Sequence, residues 1–106
     1  MSENVEAERD NPQPNPRAEA AIAKATKIGE AIVKRFPKHT LYVRRTDLGA
    51  DGGFVEIALR PDGGGYNQEV HVAYSDEYFL NATGEEQNVR AKRIFHDFKI
   101  HFGIAD

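Results

Sequence analysis

The side chains that could do chemistry are few. His39, His71, His96 and His101 are the only imidazoles, and there is no cysteine. Disulfides and thiolate zinc sites are therefore excluded. His96 and His101 are five residues apart. On a helix that spacing turns them about 140° from one another, so they do not share a metal, and no HExxH pattern is present. Ser2 and Ser75 are the only serines, and neither sits in a neighbourhood that suggests a nucleophile. Asp47 and Asp51 lie in a Gly-rich loop but lack the calcium-loop spacing with its terminal Glu. Gly63-Gly64-Gly65 has no following Lys-Ser/Thr and opens no helix, so it is not a phosphate loop. The residue types predict no catalysis, no cofactor and no metal.

What the sequence does carry is charge pattern and apolar stripes. The chain has 106 residues and a net charge of −3. Residues 1–16 hold four carboxylates (Glu3, Glu6, Glu8, Asp10) against Arg9 alone, a net of −3. The rest of the chain is balanced. Residues 1–15, ending in Asn11-Pro12-Gln13-Pro14-Asn15, have little apolar surface to offset ordering entropy and read as a disordered acidic tail. Residues 16–106 are expected to form a single domain. The polar, acidic start lacks a signal peptide's basic and apolar regions, and no apolar run approaches the roughly 20 residues of a membrane span. A cytoplasmic protein with no membrane partner is the expectation.

The elements follow from periodicity. Asn15-Pro16 is a helix start, with Asn as cap and Pro at the first helical position. From there Ala18, Ala21, Ile22, Ala25, Ile28, Ile32, Val33 and Phe36 recur at three-and-four spacing, and Pro37 ends the helix. Gly29 falls inside that stripe at a cost of about 1 kcal/mol in helix propensity, which points to close approach to a sheet. Thr40–Thr46, Phe54–Arg60 and Asn67–Ser75 alternate as strands, separated by short Gly-rich turns, and make an antiparallel meander. Tyr78-Phe79-Leu80 adds a short fourth strand or plugs the edge of the core. Thr83 and Glu86 form a capping box, followed by a stripe of Ala91, Ile94, Phe95, Phe98 and Phe102. The predicted fold class is α+β: a two-layer α-β-β-β-α domain with both helices on one face of the sheet.

Threading the charges through that order sends them to opposite ends. The end holding the first loop collects Glu19, Asp47, Asp51, Asp76, Glu77, Glu85 and Glu86. The other collects Lys34, Arg35, Lys38, His39, Arg60 and Lys99, against Asp62. On the first helix Lys24, Lys27, Lys34 and Arg35 share a face about 100° wide, which Lys38 extends. On the second, Val89, Arg93, His96 and Ile100 form a stripe away from the main one, needing cover or a partner. The sheet's outer face should show Tyr42, Arg44, Phe54, Glu56, Arg60, Glu69 and His71, aromatics beside arginines that could stack nucleic-acid bases but that ordinary cross-strand pairing explains better.

Helix, three strands, helix over most of residues 16–102 resembles the double-stranded RNA-binding domain in element order. That family grips phosphates with lysines opening the second helix and the minor groove with a histidine in the first loop. Here those places hold Glu85, Glu86 and the loop Asp47–Gly53, and Arg90, Lys92 and Arg93 come a turn later. Two functions are carried forward. The first is a small non-enzymatic module, a regulator, adaptor or inhibitor, that binds another protein as monomer or homodimer. Its surface would be the acidic end (Asp47, Asp51, Asp76, Glu77, Glu85, Glu86) or the helix stripe (Val89, Arg93, His96, Ile100). The alternative is a nucleic-acid-binding domain of that element order that uses instead the basic face of the first helix, Lys24, Lys27, Lys34, Arg35 and Lys38.

Overall fold

Asn15 starts the first helix as its sequence requires. Its side-chain oxygen accepts from the Ala18 N–H at 3.1 Å, and Pro16 occupies the first turn. This comes from a computed structural model that describes residues 15–81 and 83–103. The expectation of a disordered tail over residues 1–15 falls almost wholly outside the described residues.

Helix α1 spans Pro16–Val33. It stops short of the expected Phe36 because a residue preceding proline is pushed away from helical backbone. The amides of Arg35 and Phe36 reach back only three residues, to Ile32 and Val33. Lys38 then takes a left-handed φ of 69°, and the chain turns into the sheet.

The sheet has three antiparallel strands in the order β1-β2-β3: β1 (His39–Asp47), β2 (Gly53–Pro61) and β3 (Val70–Ser75). Val43, Ile57 and Val72 stand in register across it. The third strand begins later than expected, because Tyr66–Gln68 forms a 3-10 turn. Tyr78-Phe79-Leu80 is not a fourth strand. Asp76–Leu80 is a short helix, α2, whose first turn carries Asp76 and Glu77, acids that favour a helix N-terminus. Phe79 does plug the core, at 2% exposure.

Helix α3 spans Gly84–Phe102 and ends on Gly103 in the left-handed conformation that glycine adopts without strain. At its start the Glu86 carboxylate accepts from both the N–H and the hydroxyl of Thr83. Ile94 and Phe98 are fully buried and share one core cluster with Ala21, Ile28, Ile32, Val55, Ile57 and Leu59. Both long helices therefore pack on one face of the sheet, in the expected two-layer α+β arrangement. Gly29 earns its place by contact distance. A β-carbon there would lie 2.7 Å from a Leu41 methyl carbon and 3.4 Å from an Ile57 methyl carbon.

Candidate functional site

Among the described residues, three charged surfaces differ in how their charges are used. On the outer sheet face the guanidinium groups are each engaged by carboxylates. Arg44 donates to Glu69 at 2.7 and 3.0 Å and to Glu56 at 3.0 Å. Arg60 reaches the same Glu69 oxygen at 2.6 and 2.9 Å, and His71 lies 2.7 Å from Glu56. The Glu69 side chain is fully covered, and both arginines lie over the Tyr42 ring. The bond from Arg44 holds the Glu69 carboxyl below its ordinary range against the opposing effect of burial, and Arg60 adds to the lowering. Bases have no open platform here, since the aromatic face is already occupied by cations.

At the end that carries the β1–β2 loop, a polar cleft of about 350 Å³ is lined by Asn15, Arg17, Arg45, Asp47, Asp76, Glu77 and the loop backbone. The expected all-acidic pole does not form. Asp76 is 1% exposed, clamped by Arg45 at 2.8 and 3.1 Å. Glu77 is tied to Arg17 at 2.7 Å. Asp47 is exposed but shapes its own loop by accepting from the Gly49 N–H at 3.0 Å. The Asp51 side chain lies outside the described part. Glu85 and Glu86 are exposed at the start of α3 and do not line this cleft. The physical reason is that strand alternation puts Arg45 on the helix face beside Leu41 and Val43, where it needs a buried anion. Arg17, one residue into α1, arrives at the same end.

The third surface lies between the helices. Gln87, Asn88 and Ala91 of α3 stand beside Lys24, Lys27, Ile28 and Ala31 of α1, and Phe95 stands beside Ile32 and Arg35. The helices thus run in the same direction, with α3 starting level with the middle of α1. Where they face each other the side chains are Ala31 and Ala91, too short to close the gap. Two adjoining hollows of about 160 and 220 Å³ result, sharing both alanines. Together they form one groove, floored by Ile28, Ile32, Ala91 and Phe95 and rimmed by Lys24, Lys27, Arg35 and Lys92. Among the described residues no carboxylate lines it and none of the four cations is in an ion pair. Arg35 lies 5.3 Å from the Phe95 ring centre and Lys99 lies 4.8 Å from it, a cation–π arrangement.

Sequence reasoning found the α1 half of this rim in Lys24, Lys27 and Arg35. It did not join Lys92 to them. The basic face it drew splits in the structure: Lys34 and Lys38 are exposed but do not line the groove. The stripe of Val89, Arg93, His96 and Ile100 does point to solvent. Val89 and Ile100 are 62% and 63% exposed, so neither is covered by α1. Arg93 lies 3.8 Å from Asp97, which also accepts from the Tyr74 hydroxyl. Burial, with help from that bond, raises the Tyr74 ionisation and keeps the phenol protonated.

Among the described residues no group of three or more His, Asp or Glu side chains could hold a metal ion. None of the described helices is long and apolar enough to cross a membrane. No protein-family model matches the chain, and no curated protein or solved structure matches it.

Proposed function

We propose that the protein is a binding module that receives an acidic, amphipathic segment of a partner protein in the groove between α1 and α3. The observation that supports this reading is the pairing of an apolar floor with a rim of Lys24, Lys27, Arg35 and Lys92 that, among the described residues, no carboxylate lines. The rim would steer and orient a negatively charged segment, and the floor would bury its apolar face, as in helix-in-groove recognition. The acidic end is less suited. Asp76 is buried, Glu77 is tied to Arg17, and Asp47 and Glu86 are engaged in a turn and a cap. A phosphate backbone would use the same cations but leave Ile28, Ala31 and Phe95 without a role, so a peptide is favoured over nucleic acid.

The test is fluorescence anisotropy with a labelled amphipathic peptide that places Glu at four-residue spacing beside leucines. The native chain should bind it, and the double variant Lys24→Glu/Lys92→Glu should bind at least tenfold more weakly. Equal binding by both proteins would refute the groove. Tighter binding of a duplex RNA probe than of the peptide, with a steep salt dependence, would replace this reading with nucleic-acid recognition.

A further inference from the structure

We infer that the groove is regulated by the chain itself: residues 1–14 fold back and occupy it, competing with the partner. This inference rests on the groove reading above and adds a named occupant. Charge complementarity carries it. Residues 1–14 contain Glu3, Glu6, Glu8 and Asp10 against Arg9, a net of −3 in a chain whose remainder is neutral. The groove is the described surface where cations line a hollow without carboxylates.

The tether also fits. Asn15 caps α1, and at about 1.5 Å per residue Lys24 lies about 13 Å along the helix from it and Arg35 about 30 Å. At about 3.3 Å per extended residue, Asp10 can reach about 17 Å from Asn15, Glu6 about 30 Å and Glu3 about 40 Å. The acids thus span the same interval as the rim. Val5 and Ala7 fall among them and supply apolar groups for a floor of Ile28, Ala31 and Ala91. A segment attached this closely acts at an effective concentration of the order of millimolar, so a contact too weak to persist between separate molecules still competes.

The chain has no cysteine, so Ser2→Cys provides one site for a nitroxide on the full-length protein. Paramagnetic broadening of the Ala31 and Ala91 methyl signals is then compared with that of Ala73, which lies on the outer face of the sheet. Stronger broadening at Ala31 and Ala91, unchanged on tenfold dilution, is expected. It should vanish when Glu3, Glu6, Glu8 and Asp10 are replaced by lysine, and that variant should bind the acidic peptide at least threefold more tightly. Broadening no greater than at Ala73, or broadening lost on dilution, would overturn the inference. Peptide binding on the same samples separates the two readings. If the peptide binds but the methyl signals stay sharp, only self-occupation fails. If the methyl signals broaden but the lysine variant still takes no peptide, the partner reading fails and the internal contact stands.

Discussion

The outer face of the sheet and the groove between the helices are both rich in cations, and they teach opposite lessons. On the sheet each arginine has a carboxylate within hydrogen-bond distance, and Glu69 serves two of them. A surface of paired charges of that kind holds the strands together and leaves little for a ligand to complete. In the groove the cations have no carboxylate among the described residues, and the floor is apolar. Unbalanced charge beside an apolar floor that Ala31, Ala91 and Phe95 leave partly open is what a binding partner can complete. Counting basic residues would not distinguish the two faces; tracing each one's partner does.

Breaking the paired kind of charge should produce the largest effects. Asp76 is buried with Arg45, so Asp76→Ala leaves a guanidinium without its anion in a largely covered site. The expected loss is about 3–5 kcal/mol, read as a fall in the urea midpoint at constant slope. A loss below about 1 kcal/mol would mean that water satisfies Arg45 and that the pair is not structural.

Glu69 should come next, at about 1–3 kcal/mol for Glu69→Gln, because Arg44 and Arg60 keep part of their surface in water and screen the pair. Its pH dependence has a definite sign. The folded-state ionisation is lower than the unfolded one, through Arg44 first and then Arg60. The stabilisation is therefore complete above the unfolded value of about 4.3 and is lost as pH falls through the folded one. The gap in denaturation midpoint between wild type and Glu69→Gln should narrow on acidification below about pH 4. A constant gap would assign Glu69 a packing role only. Neither substitution should change peptide affinity.

The groove should behave in the reverse way. Lys24→Glu/Lys92→Glu is expected to reduce peptide affinity at least tenfold, about 1.4 kcal/mol. Thermal stability should move by less than about 0.5 kcal/mol, as for surface positions. A large stability change would place these lysines with the sheet arginines and erase the contrast.

The smallest effect concerns a residue outside both regions. Asn15→Ala removes the bond to the Ala18 amide and should cost about 1 kcal/mol. Its peptide affinity should be unaffected. A gain in affinity would show instead that the α1 start and the groove are coupled.

Much of the fold was legible because it is written in local terms. The Asn15-Pro16 start, the period-two strands and the Thr83/Glu86 pair each act within a few residues of themselves. Gly29 was legible as well, since a glycine in an apolar helical stripe has few reasons to be there. Tyr78-Phe79-Leu80 was not, because a short apolar run fits a strand or a helical turn equally well. Here the preceding Asp76-Glu77 and the need to fill the core decided for the turn. Of the site, only the α1 rim could be read. Lys92 shares no sequence neighbourhood with Lys24, and Ala31 opposite Ala91 becomes a gap only once two helices are set side by side.

The amino-acid order alone determined where the two long helices and the three strands lie, which face of each is apolar, and that no thiol chemistry is available to this chain. Those follow from backbone preference and side-chain period, which act over a few residues. Only the tertiary structure decided which charges would meet. Arg45 found Asp76 across the fold, Arg44 and Arg60 converged on Glu69, and the groove lysines met no carboxylate among the described residues. Coulombic pairing depends on distances of a few ångströms between residues far apart in sequence, and it is packing that sets those distances.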